Sequence, residues 1–69
     1  MKLSARNQIK GRIIEVKKGI TTAPVRVEIA HEQVITSSIT NEAVEDLGLK
    51  VGDWAIVVIK ASDVMIGVA

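Results

Sequence analysis

The chain contains no cysteine, phenylalanine or tyrosine, and only one tryptophan, one proline and one histidine. Without cysteine no disulfide can staple it, and a lone histidine gives a structural metal no ligand set. Both exclusions matter because a 69-residue domain buries only ~60% of the surface its unfolded chain exposes. Domains of this size gain stability from disulfides, metal or oligomerisation, and here only self-association remains. The means are present: 48% of the residues are hydrophobic, and nearly all of those are aliphatic.

Other scarcities narrow the function. A formal net charge of +1 is far from the clustered basic field of a protein that coats nucleic acid. No apolar run approaches the ~18 residues of a membrane span. The start of the chain places Ser4, Arg6, Asn7 and Gln8 where a secretory signal would need an apolar core. These features lead to the expectation of a cytoplasmic protein.

What is present reads as short strands. Gln8–Lys17 carries β-branched Ile13, Ile14 and Val16, but Ile9 and Ile13 fall on one face while Ile14 and Val16 fall on the other. That phase change between Ile13 and Ile14 predicts a bulge or sharp bend, helped by Gly11. Val25, Val27 and Ile29 alternate with Arg26 and Glu28, the pattern of a half-buried strand, and Val34–Ile39 makes a third. Thr40–Gly48 reads as a short helix capped by Thr40 or Asn41 and stopped by Gly48. Trp54–Ile59 and Val64–Val68 complete the set. Five strands with one short helix between the third and fourth predict an all-β, five-stranded OB-like Greek-key barrel. The last two strands are apolar on both faces, which predicts that one face packs on another subunit.

Two stretches carry binding chemistry. Ser4-Ala5-Arg6 precedes the first strand, and Lys60-Ala61-Ser62 follows the fourth. Each combines a cation, a hydroxyl and a small alanine that leaves backbone N–H groups approachable, at a strand end where main-chain donors lack ladder partners. Thr40 marks a helix N-terminus, which also favours an anion. The set suits an oxyanion. Donor count and charge alone do not select among tetrahedral dianions.

Ser4–Gln8 (SARNQ), Lys17–Gly19 (KKG), Leu47–Asp53 (LGLKVGD) and Lys60–Val64 (KASDV) together resemble the molbindin (Mop) family of small molybdate-binding proteins. The likeness spans essentially the whole chain, so it implies one Mop domain over residues 1–69. It implies molybdate or tungstate held between subunits of a homohexamer, a trimer of dimers, serving molybdenum storage or homeostasis. Ser4 and Arg6 match ligand positions of one chain. Lys60, with Ala61 contributing its main-chain N–H and Ser62 following, matches the lysine side from a neighbouring chain, and Thr40 a position near the ligand. No side chain coordinates the metal directly, and no cofactor is implied. The resemblance also implies a second oxyanion site, for which Lys18, Gly19, Ile20 and Thr22 are the candidates; the competing reading is an ordinary solvated turn.

Two other functions compete. An OB-like barrel also binds single-stranded nucleic acid, but that work uses aromatic platforms along a basic groove. Trp54 is the only aromatic ring, and beside a Gly-Asp turn it is expected to pack rather than to stack on a base. An enzyme is not expected: there is no cysteine nucleophile and no serine with a recognisable base and acid partner. Glu42, Glu45 and Asp46 read as an acidic helix face, and His31 as an exposed loop residue.

Overall fold

The computed structural model describes residues 1–69. Four strands form one antiparallel sheet: β1 (Asn7–Val16), β2 (Thr22–Ala30), β3 (Gln33–Thr40) and β4 (Trp54–Ile59). Their order across the sheet is β3-β2-β1-β4. One short helix, α1 (Asn41–Leu47), joins β3 to β4. The architecture is therefore all-β and OB-like, a curled sheet with its helix where the sequence places it.

Local chemistry explains the elements. On β1, Ile13 pairs with Val27 and Glu15 with Arg26, so Ile14 is the extra residue of a bulge. The bulge reconciles the two apolar phases: Ile13 is buried inside and Ile14 turns out. Gly11 serves a different purpose from the expected bend. A Cβ there would stand 2.6 Å from Val27 Cγ1 and 2.7 Å from the Glu28 carbonyl, so glycine is what lets β1 approach β2. The β2–β3 hairpin turns through His31 and Glu32, with φ of 44° and 66°, both left-handed and neither a glycine. Thr40 caps α1 by accepting a hydrogen bond from the Ala43 N–H, and Gly48 ends it in the left-handed region with φ of 64°.

The core is Ile13, Ala23, Val25, Val27 and Val44, with Ile39, Leu49 and Val57 packed at its margin. Only 6 of 69 residues are buried, a small interior for a chain of this length. The reason is an open seam. β3 and β4 are the two sheet edges and do not pair with each other. Between them lies an apolar cavity of about 190 Å³ lined by Val25, Val27, Ile39, Leu47, Leu49 and Val57 among others.

Two expectations are corrected here. The fifth strand does not form within the chain: after β4, a 3-10 turn at Ala61–Asp63 leads into residues 64–69, which have no ladder partner. Met65, Ile66 and Val68 are 87–95% exposed. A strand exists through its neighbour's hydrogen bonds, and this segment leaves the sheet before meeting one, so the barrel stays open. Trp54, expected to pack, is 59% exposed. It stands opposite Arg12 in the β1–β4 register, on the outer face, with Arg12 Cζ 4.6 Å and Lys10 Nζ 5.1 Å from its ring centre. Beside it Ile56 and Val58 are also exposed.

Candidate oxyanion site

The β1–β4 ladder ends on the pair Asn7 and Ile59. The residues just beyond that rung are Arg6 on one side and Lys60 on the other, so the two cationic stretches become neighbours at one end of the sheet. Ser4, Arg6, Lys60, Ala61 and Ser62 are exposed and Ala5 is half-buried. The chain's two ion pairs are Lys18–Glu45 and Arg26–Glu15. Arg6 and Lys60 thus keep their full charge available.

Two neighbouring amides hold this end together. Asn7 Nδ2 donates to the Ile59 carbonyl at 3.2 Å, and Gln8 Nε2 donates to the Ala5 carbonyl at 3.2 Å. Beyond β4, the Asp63 N–H returns to the Lys60 carbonyl at 2.9 Å, which closes the turn carrying Ala61 and Ser62. The main-chain N–H groups of Arg6, Lys60, Ala61 and Ser62 make no internal hydrogen bond. The cluster therefore offers two cations, two hydroxyls and unpaired main-chain donors, a donor set suited to an oxyanion.

Thr40 does not join it. Thr40 pairs with Thr22 at the far end of the β2–β3 ladder, opposite along the strands to Arg6 and Lys60. Its hydroxyl oxygen accepts from the Ala43 N–H at 3.0 Å, which leaves its O–H free to donate outward. In this chain Thr40 belongs with the second candidate group. There Asn41 Nδ2 donates to the Gly19 carbonyl at 2.9 Å and to the Ile20 carbonyl at 3.3 Å, while the Asn41 N–H donates to the Thr21 carbonyl at 2.9 Å. The Asn41 Oδ1 is buried without a partner.

Within that group Lys18 is committed. Its Nζ lies 2.8 Å from Glu45 Oε1. The hydrogen bond from Lys18, and then its charge, hold the Glu45 carboxyl below the usual carboxylate range. Ile20, at the loop tip, is 99% exposed, and Gly19 donates its N–H to the Thr22 carbonyl at 2.8 Å. Residues 18–22 and Thr40 form one cluster, but its cation is already neutralised. Sequence reading missed Asn7, Gln8, Asn41 and Glu45; the first two lay inside the SARNQ stretch, where their amides could have been weighed as internal donors.

Comparisons with known proteins bear on the whole chain. Residues 3–66 match the TOBE domain. The chain is 52% identical over 66 residues to molybdenum-pterin-binding protein 3 of Clostridium pasteurianum, covering 96% of this chain and 97% of that one. It is 43% identical over 68 residues to a probable molybdenum-pterin-binding protein of Haemophilus influenzae, covering 99% of each. Among solved structures, apo MopII of Clostridium pasteurianum superposes with a TM-score of 0.89 at 48% identity, over 97% of this chain and all of that one. The cytoplasmic molybdate-binding protein ModG, with molybdate bound, gives a TM-score of 0.93 at 43% identity; all of this chain covers 49% of ModG. With sequence and fold agreeing along its length, the chain belongs to the TOBE-domain family, in its Mop branch of small proteins.

Proposed function

We propose that this chain binds molybdate or tungstate at the subunit interfaces of a homohexamer, as one Mop domain over residues 1–69, and stores or buffers molybdenum in the cytoplasm. The observation that carries the reading is that Ser4–Arg6 and Lys60–Ser62 lie exposed at the same end of the sheet, beyond the Asn7–Ile59 rung, with both cations free of carboxylates, so that Lys60–Ser62 of a neighbouring chain can complete the site begun by Ser4 and Arg6. A dianion leaving water loses a large solvation energy and must find opposite charge and several donors together. Arg6 and Lys60 supply the charge; Ser4, Ser62 and the main-chain N–H groups supply the donors. The names of the relatives, and of ModG with its bound molybdate, point to the same ligand.

Three features support placing the site between subunits. The core is small, the seam between β3 and β4 is open, and the apolar surface of β4 and residues 64–68 is exposed. Thr40 lies too far along the strands to reach Arg6 of its own chain, so a site that uses both draws on two chains. The outer face carries one aromatic ring, whereas binding single strands uses a series of them.

Metal analysis of the purified protein together with its native mass is the test. Bound molybdenum or tungsten in a hexamer, and a clear heat on titrating molybdate, are the expected results. A folded, stable 7.4 kDa species, or no heat with molybdate beside tight oligonucleotide binding at ~0.15 M salt, would reverse the reading. Because two relatives are named for a molybdenum-pterin, a pterin belongs among the titrants.

A further inference from the structure

The chain's single aromatic ring stands on the outer face of the sheet, apart from the oxyanion cluster. Trp54 pairs with Arg12 at the opposite end of the β1–β4 ladder from the Asn7–Ile59 rung, and it is 59% exposed. Two cations gather over it: Arg12 Cζ lies 4.6 Å and Lys10 Nζ 5.1 Å from the ring centre. Neither belongs to an ion pair, since the chain's two pairs are Lys18–Glu45 and Arg26–Glu15. Arg12 also stands across from Glu28 in the β1–β2 register, and it turns to the ring instead. Both cations come from β1, whereas β4 is an edge of the sheet, so no strand of the chain flanks the ring on its far side. There Trp54 walls an open apolar groove with Leu3, Leu49, Ile56 and Val58.

We infer that Trp54, Arg12 and Lys10 form an additional binding site, for a small planar heteroaromatic anion. Indole and guanidinium planes both stack on flat π-systems, and stacking on an aromatic side chain accepts many bases because every one has a π-face. The two cations supply what the ring lacks, opposite charge for a phosphate or carboxylate on the ligand. One ring sets the size: a mononucleotide or a pterin carboxylate fits the platform, whereas a strand of nucleic acid needs a row of rings. A second copy of the chain is a poorer occupant, because burying Arg12 and Lys10 against another apolar face would strip their water without supplying an opposite charge. The site needs no molybdate, so it stands or falls separately from the function proposed above.

Trp54 is the only tryptophan, so its fluorescence reports this site alone. The assembled wild-type protein is titrated with adenosine 5′-monophosphate in one arm and pterin-6-carboxylate in another, corrected for ligand absorbance, which distinguishes the two sources of the same chemistry. Saturable quenching by at least one is expected, weakening as salt rises. Adenosine carries the ring without the charge, and ribose 5-phosphate the charge without the ring; each should bind more weakly than the nucleotide. Arg12→Gln and Lys10→Gln keep the reporter and should each weaken the ligand about two- to fivefold. Trp54→Leu, followed by calorimetry, should weaken it roughly tenfold. Far-ultraviolet circular dichroism checks that all three variants are folded, whether or not the chain binds molybdate. No saturable quenching by either anion, or equal binding of adenosine and its monophosphate, would overturn the site. So would a Trp54 shielded from acrylamide in the assembled protein, which would make this face an interface between copies.

Discussion

Lys18 Nζ and Glu45 Oε1 lie 2.8 Å apart, so the β1–β2 loop is latched to α1 by the one cation that a second anion site would need. An anion at this loop must displace a carboxylate before it gains a lysine. Glu45→Gln should therefore strengthen any weak second phase of molybdate binding without altering the main phase. Calorimetry at raised molybdate concentration reads this, and an unchanged second phase would mean that the loop takes no anion.

The same latch sets a pH dependence. Glu45 is held below its usual value by Lys18; its folded pKa is depressed, so its contribution is present above the unfolded pKa and is lost as pH falls through the folded one. Melting curves recorded downward from pH 4.5, the ordinary value, should show wild type converging on Glu45→Gln. Both groups are exposed, so the difference at neutral pH should be small; a gap that widens in acid would contradict the assignment.

Arg6 and Lys60 do different work at the main site. Arg6→Lys keeps the charge but loses the two-pronged fork, and should weaken molybdate binding. Lys60→Ala leaves the dianion short of one positive partner and should cost about 2–4 kcal/mol, or roughly 30- to 1,000-fold in affinity. Lys10→Ala, which lies against Trp54 and outside the cluster, should change affinity little. Equal small losses at Lys60 and Lys10 would return Lys60 to the ordinary surface.

Assembly can be tested by complementation. Arg6→Ala and Lys60→Ala subunits, each weak alone, should recover part of the molybdate heat when mixed and exchanged, because an interface between chains can pair the intact half of each. No recovery after verified exchange would place the whole site within one chain.

Backbone geometry gives the stability prediction. Gly11→Ala would drive a Cβ to 2.7 Å from the Glu28 carbonyl and should destabilise by about 1–3 kcal/mol. Glu32→Gly relieves a left-handed residue at the hairpin and should stabilise by about 0.5–1 kcal/mol. Denaturant unfolding at fixed protein concentration measures both, and the two changes should have opposite sign.

Much of this architecture was legible in the chain because it depends on neighbours in sequence. Alternation at Val25, Val27 and Ile29 marks β2, the slip between Ile13 and Ile14 marks the bulge, and Thr40 with Gly48 brackets α1. Cation and hydroxyl at Arg6, Ser4, Lys60 and Ser62 were visible as oxyanion chemistry for the same reason: residue type alone carries charge and donors. Register was not legible. Pairing of Asn7 with Ile59, and of Thr22 with Thr40, is decided by how the strands align across the sheet, and it is this alignment that unites Arg6 with Lys60 and sends Thr40 to the other end. The apolar pattern of Val64–Val68 announced a strand, but a strand needs an edge to bond, and the turn at Ala61–Asp63 carries these residues away from their own sheet. Trp54, beside the Gly-Asp turn, was expected to pack; its place opposite Arg12 put the ring on the outer face. Sequence determined which groups the molecule possesses, through short-range pattern and side-chain chemistry. Tertiary structure decided which of them meet, because contacts between residues tens of positions apart depend on sheet register and on which edges remain unpaired.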